Sequence, residues 1–291
     1  MSLSRSPSPA ASGPRAEHRP DGLILRRPPA LARVASALKR EAPPPVIFVY
    51  HGVGEPPVTG DPHGLMLRPE RLGEQVDALL SWDYDLMRAD RLWGELRDDP
   101  ARRSLAALTF DDALAGTLGA VLGVLADRGA HTAASVFVPS GLMGKPHPDL
   151  GEEHRIADAA EIRELAAEGV QIGSHTVDHT DLTRLDPAAV LDQLRRSRAT
   201  LEDLVSAPVT MVAYPYGRYS PSVMAAAQEA GYDAALASDG GGDWRTFALP
   251  REAVFPGTGR HRLALKARGL DGPAAAAAGT LARIRRAVRR A

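Results

Sequence analysis

One stretch of the chain decides the fold: Ser104-Leu-Ala-Ala-Leu-Thr-Phe110, followed directly by Asp111 and Asp112. The stretch is short and apolar and ends in charge, which predicts a buried strand that delivers two acids to its C-terminal end. Adjacent carboxylates repel each other, and burial alone stabilises neither of them. A cation that binds one acid would make the pair tolerable on a core strand, so further cation ligands are expected elsewhere.

Two histidines follow another predicted strand in the same way. His175 and His179 lie in the run Gly173-Ser-His-Thr-Val-Asp-His179, directly after a predicted strand at 170–173. Their four-residue spacing brings both rings to one side if the segment is helical or tightly looped. The pair alone would also fit two surface histidines, but the context that it shares with the two acids favours a metal site.

The ligand types narrow the choice of metal. The chain has no cysteine, which excludes disulfides and thiolate sites and leaves His, Asp and Glu as ligands. Two histidines and one carboxylate leave coordination positions open, as catalysis requires, and favour Zn²⁺, with Co²⁺, Ni²⁺ or Fe²⁺ as alternatives. Zinc lowers the pKa of bound water to about 7. The other acid of the pair would then be the base that takes the proton of the water.

Composition restricts the class of protein. The chain has 291 residues, 44% of them hydrophobic, and a net charge of −1, which gives no electrostatic case for nucleic acid. No stretch is long and apolar enough to span a bilayer, and the N-terminus has no apolar signal region. The sequence therefore predicts a cytoplasmic protein.

Strands and helices are predicted to alternate along the centre of the chain. Strands are expected at 46–50, 84–87, 104–110, 133–138, 170–173, 209–213, 234–236 and 249–254. Helices are expected at 69–80, from an Asp90 cap through Leu96, and at 116–127, 158–168, 186–205 and 220–230. This alternation predicts an α/β fold in which parallel strands close into a barrel or nearly so, with functional residues at their C-terminal ends.

The two ends of the chain differ from this pattern. Residues 1–45 are rich in Pro, Ser, Arg and Ala and are predicted to be a disordered leader. Residues 257–291 form an Ala-rich and then Arg-rich tail. Within it, 273–291 fits either a basic amphipathic helix in peripheral contact with an anionic membrane or a solvated terminal helix.

Three motifs carry a family resemblance. Thr109-Phe-Asp-Asp112, Ser174-His-Thr-Val-Asp-His179 and Tyr214-Pro-Tyr-Gly217 resemble, in order and spacing, motifs of the polysaccharide deacetylase family, the NodB-homology domain of carbohydrate esterase family 4. The loop in Val49-Tyr-His-Gly-Val53 also resembles the first strand of many members. The resemblance implies a distorted (β/α) barrel domain at 46–256. It also implies metal-assisted hydrolysis of an N-acetyl, sometimes O-acetyl, group on a sugar.

The resemblance also implies roles for individual residues. Asp111 would be the catalytic base, and the metal would be held by Asp112, His175 and His179. The backbone N–H of Tyr216 would help to stabilise the oxyanion. The carbohydrate substrate would contact Tyr214, Pro215, Tyr216, Gly217 and Trp244. For Tyr214 and Trp244, a place in the protein core is an equal alternative.

The sequence departs from the family pattern at two places. Ala213 stands where many members have an arginine that orients the base, and Arg251 is the candidate to replace it, with a surface salt bridge as the alternative. The late Leu-x-His motif that supplies a general acid is missing. His51 is the candidate acid, with a structural histidine as the alternative, whereas His261 is interpreted as a solvated tail residue.

Three functions remain open from the sequence. The first is a metal-dependent deacetylase acting on a polysaccharide, an oligosaccharide or a lipid-linked sugar. The second is a catalytically silent carbohydrate-binding protein, which the missing histidine and Ala213 favour and the intact Asp–His–His set opposes. The third is a deacylase or deformylase of a nucleotide sugar, lipid sugar or small cyclic amide, which the lack of a secretion signal favours.

Overall fold

A computed structural model describes residues 23–26, 42–56, 61, 63–148, 150–238 and 243–271. The strands in this part of the chain are β1 (Ile24–Leu25), β2 (Val46–Tyr50), β3 (Gly52–Val53), β4 (Met66–Leu67), β5 (Asp85–Met87), β6 (Leu105–Phe110), β7 (Ala134–Val138), β8 (Pro146–His147), β9 (Gly151–Arg155), β10 (Gln171–Ser174), β11 (Met211–Ala213), β12 (Ala234–Leu236), β13 (Trp244–Arg245) and β14 (Glu252–Ala253). The helices are α1 (Pro69–Ser81), α2 (Ala89–Asp98), α3 (Thr117–Ala126), α4 (Ala159–Ala167), α5 (Pro187–Val205), α6 (Pro221–Glu229) and α7 (Arg260–Ala267). None of the helices that the structure describes is long and apolar enough to cross a membrane.

Eight parallel strands form the central sheet. Seven follow the order β12-β11-β10-β7-β6-β2-β14, and β5 pairs with β6 beside β7. A parallel bridge between Leu236 and Leu249 links β12, at one edge, to the segment that leads into β14, at the other edge. The sheet therefore curls into a distorted (β/α) barrel, which confirms the predicted fold class.

The inner face of the sheet explains where the functional candidates lie. A small apolar cluster inside the barrel includes Ile47, Ala107, Phe137, Ala213 and Leu249. Side chains alternate between the two faces of a strand. By this alternation His51, Asp111 and Arg251 have the same facing as Ile47, Ala107 and Leu249, and His175 has that of Gly173, which lies against Phe137.

All the described helices except α2 pack on the larger core cluster outside the sheet, whereas α2 packs Leu92, Trp93 and Leu96 in the inner cluster. Helix α1 buries Leu72, Val76 and Leu79 at helical spacing against the larger core cluster. Asp158 begins α4 with a capping box that includes Glu161, and Asp186 caps α5 ahead of Pro187. Both helices therefore begin where the sequence predicts. Each has a short polar cap residue followed by an apolar face, which is the pattern used for the prediction.

Helix α2 begins one residue earlier than its predicted cap. Its N-cap residue is Arg88, whose side chain makes no capping hydrogen bond, so the prediction that Asp90 caps the helix is wrong. Asp90 lies in the first turn, where both carboxylate oxygens accept hydrogen bonds from Arg88 at 3.1 and 3.0 Å. The acid still lies at the positive end of the helix dipole.

Two other regions differ from the sequence predictions. Strand β1, which pairs antiparallel with β13, lies inside the predicted leader at 1–45. Pro146–His147 and Gly151–Arg155 form the hairpin β8–β9, in a segment for which the sequence predicts neither strand nor helix. The remaining leader residues 1–22 and 27–41, and the basic segment at 273–291, lie outside the described residues.

Helix α7 extends the packed part of the chain beyond residue 256. Its Leu263 and Ala267 belong to the main core cluster. Gln75 on α1 donates a hydrogen bond to the Thr258 carbonyl at 2.8 Å, and the Tyr84 hydroxyl donates to the Ala267 carbonyl at 3.0 Å. The first part of the predicted tail therefore packs on the barrel.

Close packing inside the barrel yields a stability prediction. A Cβ added to Gly173 on β10 would overlap the ring of Phe137. We expect Gly173→Ala to lower the free energy of unfolding by about 1–3 kcal/mol, because the neighbouring core must shift to admit it. The measurement is urea unfolding followed by circular dichroism.

The matched control is Gly123→Ala on the exposed side of α3, where an added Cβ has no atom within 4 Å. This change should raise stability by about 0.5–1 kcal/mol, because alanine favours the helix over glycine. Equal effects of the two substitutions would contradict the packing argument.

Candidate active site

Candidate residues meet at the C-terminal ends of the central strands. In the parallel register, Val49 on β2 lies beside Thr109 on β6, and Ser174 on β10 lies beside Val138 on β7. Each strand thus ends at the same rim of the barrel. The structure brings four of the candidate residues together there. His175 Nε2 lies 3.9 Å from Asp111 Oδ2 and 3.7 Å from Asp112 Oδ1, and Arg251 Nη1 lies 2.7 Å from Asp111 Oδ1.

Asp112, His175 and His179 form a buried cluster. Their ligand atoms all lie within 4.8 Å of one another. The Asp112 Oδ1 is 3.4 Å from His179 Nε2 and 3.7 Å from His175 Nε2. Metal–ligand bonds of ~2.1 Å in a tetrahedral site would separate the ligand atoms by about 3.4 Å. The two distances from Asp112 are therefore close to those expected for a divalent transition metal.

The hydrogen bond of His175 determines which of its two ring nitrogens can bind a metal. His175 Nδ1 lies 2.8 Å from the Ala213 carbonyl oxygen, which can only accept, so Nδ1 carries the proton. In the neutral ring the lone pair is then on Nε2, which faces Asp112. A histidine that donates one nitrogen to a carbonyl and offers the other to the site has the usual arrangement of a metal ligand.

The protonation states of the other two residues also fit a metal. Burial and the nearby His175 lower the pKa of His179 to about 4, so its imidazole is neutral at pH 7. Burial opposes ionisation of Asp112. The hydrogen bond from His147 and the nearby imidazoles outweigh burial and hold the pKa of Asp112 well below its usual range. A neutral imidazole and an ionised carboxylate are the forms that bind metals.

The backbone is unusual at several of these positions. Asp112, His179 and Tyr216 all have positive φ, at 65°, 55° and 58°. Such conformations are uncommon for residues other than glycine and cost free energy, so the surrounding structure must hold them. At Asp112 this conformation directs the carboxylate toward His175 Nε2. The same nitrogen lies 3.9 Å from Asp111 Oδ2, so both acids face it.

Arg251 holds Asp111 inside the barrel. Its guanidinium donates to both carboxylate oxygens, at 2.7 and 2.8 Å, and also to Thr109 Oγ1 and the Ala237 carbonyl. Arg251 is fully buried, so the alternative that it forms a surface salt bridge is wrong. Burial opposes ionisation of Asp111. The charge and hydrogen bonds of Arg251 outweigh burial and lower the pKa of that carboxyl.

His147 is the site residue that sequence reasoning missed. It lies on β8 and is 2% exposed, and its Nε2 is 3.2 Å from Asp112 Oδ2. The segment between β7 and α4 has neither an apolar period nor a motif. The one available signal was a lone histidine between two prolines, Pro146 and Pro148.

The third motif places one aromatic ring at the rim. Tyr216 is 57% exposed, and its ring centroid lies 4.8 Å from that of His179. The next residue, Gly217, has φ of 66°, and a Cβ there would lie 2.7 Å from the Ser238 backbone nitrogen. Only glycine fits this position, which keeps the loop under Tyr216 close to the barrel. Pro215 is buried beneath it.

Two predicted substrate contacts are buried core residues instead. Tyr214 is fully buried, and its hydroxyl donates to the Phe247 carbonyl at 3.0 Å. Trp244 is 8% exposed and packs in the inner cluster, with Leu25 opposite it on β1. Neither ring presents a face to a ligand, so we withdraw both residues from the substrate site.

The other two candidate histidines lie in different places. His51 follows β2 at the rim and is close enough to affect the pKa values of Asp111 and Asp112. It is partly buried. His261 is exposed at the start of α7, as its interpretation as a solvated residue predicts. His51 therefore remains the general-acid candidate of the sequence analysis.

Comparison with known proteins identifies the family. The family model for polysaccharide deacetylase matches residues 98–235. The chain contains a polysaccharide deacetylase domain. Proteins of this family are hydrolases of a carbon–nitrogen amide bond, and the domain assigns the chain to carbohydrate deacetylation.

Individual relatives agree with this assignment. YxkH of Bacillus subtilis strain 168, which is named as a polysaccharide deacetylase, is 25% identical over 76% of this chain and 75% of its own. A chitooligosaccharide deacetylase of Rhizobium leguminosarum bv. trifolii is 34% identical over 43% of this chain and 52% of its own. The fold is similar to that of the Streptococcus pyogenes deacetylase PplD, solved in complex with acetate. That match has a TM-score of 0.64 and 20% identity over 76% of this chain and 96% of PplD.

The buried pair of Arg251 and Asp111 predicts a large energetic coupling. Arg251→Met should lower the free energy of unfolding by about 3–5 kcal/mol, because it leaves a buried carboxylate without its partner. In an Asp111→Asn background the same substitution should cost less, since no charge is left behind. Urea unfolding of the two single variants and the double variant measures the difference.

The coupling energy from this double-mutant cycle should reach about 1–3 kcal/mol. The control is Arg195→Met, which removes an arginine whose pair with Glu229 is exposed. That change should alter stability by less than about 1 kcal/mol. Additive effects of Arg251→Met and Asp111→Asn would contradict the pairing.

Proposed function

We propose that this chain is a metal-dependent hydrolase that removes N-acetyl groups from a carbohydrate. The observation that carries the proposal is the convergence of the Asp111 and Asp112 carboxylates and the Nε2 atoms of His175 and His179 at one barrel rim. The donor spacing supports Zn²⁺ as the metal, with Co²⁺, Ni²⁺ or Fe²⁺ as alternatives. The metal would be held by Asp112, His175 and His179.

The base is proposed to be Asp111. When bound, the metal supplies a Lewis acid that polarises the amide carbonyl and favours loss of a proton from the attacking water. Asp111 accepts that proton while the water oxygen forms a bond to the carbonyl carbon. Because Arg251 holds both oxygens of Asp111, the carboxylate is ionised and oriented before it accepts the proton. Arg251 thus acts through Asp111 as a positioning residue.

The loop at Tyr216 is proposed to receive the substrate. Its exposed ring lies at the rim beside His179, where a sugar can pack against it. The Tyr216 backbone N–H is proposed to stabilise the negative oxygen of the tetrahedral intermediate. Pro215 and Gly217 support this loop from below.

The proposed general acid is His51. Collapse of the tetrahedral intermediate breaks the carbon–nitrogen bond and needs a proton on the leaving amine. His51 lies at the same rim as Asp111, at the end of the neighbouring strand β2. The products are acetate and a free amino sugar.

The deacetylase domain is proposed to extend from Val46 to about residue 270. This differs from the boundary at 256 expected from the sequence. The packing of α7 on the core and the hydrogen bond from Arg260 of α7 to Ser81 of α1 support the longer domain. We keep a peripheral membrane contact and a cytoplasmic location as predictions from the sequence.

Loss of the base tests the reaction. We expect Asp111→Asn to reduce acetate release from N-acetylglucosamine oligomers by at least ~10²-fold, because no group takes the proton of the water. Metal content, measured by atomic emission, should stay near one equivalent. His179→Ala should instead lose both the metal and the activity.

The control is His261→Ala, which changes an exposed histidine on α7 and should keep both activity and metal content. Full acetate release by Asp111→Asn would contradict the base assignment. Glycan binding by the wild type without acetate release, at any metal loading, would favour the silent carbohydrate-binding protein.

The choice of leaving group tests His51. We expect His51→Ala to reduce acetate release from the amide substrate by about 10²–10⁴-fold, because the amine then leaves without a proton donor. Hydrolysis of 4-nitrophenyl acetate should change much less, since its leaving group departs as a stable anion. Equal losses on both substrates would contradict a role in protonating the amine.

A further inference from the structure

His147 lies where a hairpin enters the site. It lies on β8 between Pro146 and Pro148, both exposed, yet His147 itself is 2% exposed. The hairpin β8–β9 pairs with no strand of the central sheet. The buried imidazole of His147 reaches Asp112 and links an element outside the barrel to the candidate metal site.

The environment of His147 sets its tautomer. The backbone N–H of Leu150 donates to His147 Nδ1 at 3.2 Å, so Nδ1 is the acceptor nitrogen. In the neutral ring the proton is then on Nε2. That nitrogen lies 3.2 Å from Asp112 Oδ2, with both side chains buried. The Nε2–H group of the neutral His147 ring therefore lies in electrostatic contact with this carboxylate oxygen.

The two oxygens of Asp112 have different partners. Oδ1 faces the imidazoles, at 3.4 Å from His179 and 3.7 Å from His175, while Oδ2 faces His147. The left-handed backbone at Asp112 cannot hold this orientation without help from neighbouring groups. The contact of His147 with Oδ2 restricts rotation of the carboxylate about its Cβ–Cγ bond.

We propose that His147 is a positioning residue that holds Asp112 Oδ2, so that Oδ1 alone is directed to a metal between His175 and His179. The inference rests on the proposed function, because it concerns the same metal site. It assigns one-oxygen binding to Asp112 and makes metal affinity depend on the hairpin β8–β9. Partners of this kind typically contribute ~10–100-fold to metal affinity.

The test compares variants of His147 that differ in whether a donor reaches Asp112. His147→Leu removes the donor, whereas His147→Gln places an amide N–H near the Nε2 position. Affinities for Zn²⁺ and Co²⁺ are measured by competition with a chromophoric chelator on the full chain. The visible absorption spectrum of the Co²⁺ form reports the geometry of its ligands.

We expect His147→Leu to bind both metals ~10–100-fold more weakly and to alter the Co²⁺ spectrum. His147→Gln should recover most of the affinity and the wild-type spectrum, because it restores the donor. A histidine that bound the metal itself would not be replaced by glutamine. Failure of His147→Gln to recover more than His147→Leu would therefore overturn the proposal.

A matched control separates positioning from packing. Leu150→Ala removes a buried side chain from the small cluster with Met66 and Leu114 but keeps the Leu150 backbone N–H. It should lower the unfolding temperature and leave metal affinity unchanged. Should His147→Leu fail to fold, His147→Asn, whose amide is too short to reach Asp112, takes its place with the same expected loss.

The outcomes distinguish this inference from the proposed function. Equal metal affinity of wild type and His147→Leu, or the same loss in Leu150→Ala, would overturn the inference, as would a wild type that binds neither metal. A wild type that binds metal but releases no acetate would contradict the proposed deacetylase and leave the role of His147 intact.

Discussion

The structure depends on how two adjacent buried carboxylates are kept ionised. Asp111 and Asp112 would repel each other and lose hydration inside the barrel, and each is compensated by different groups. Arg251 binds both oxygens of Asp111, whereas Asp112 contacts the imidazoles of His147, His175 and His179. One acid is thus held by a permanent cation and the other faces a set of metal donors. This division of partners supports different roles for two neighbouring residues of the same type.

The barrel makes this division possible because parallel strands end at one rim. His51, Asp111 and His175 follow three strands of the sheet, and Arg251 lies just before a fourth. Small residues on the inner face, Ala107, Gly173 and Ala213, leave room for the long side chain of Arg251 above the ring of Phe137. Here the guanidinium reaches Asp111 from the opposite edge of the curled sheet, and the Ala213 carbonyl orients His175.

The sequence predicted most elements and the metal cluster, and its errors have physical causes. Apolar runs that end in charge identified β6 and β10, because a buried strand must be apolar until it reaches the rim. Tyr214 and Trp244 were ambiguous because an aromatic ring is suited both to a sugar and to a core, and only burial separates the two. His147 was missed because its partner, Asp112, is 35 positions away in a segment without periodicity. The exact start of α2 was missed because a basic residue, which carries no capping signal, precedes it.

By itself, the sequence determined the chemistry that this protein can perform. It specified which residues can ligate a metal or move a proton, and it excluded thiolates, because these depend on residue type and local spacing alone. The tertiary structure decided which of those residues meet. It buried Arg251 against Asp111, moved Tyr214 and Trp244 into the core and brought His147 to Asp112. These contacts join residues far apart in the chain, and they form only when the sheet curls and brings distant segments to one rim.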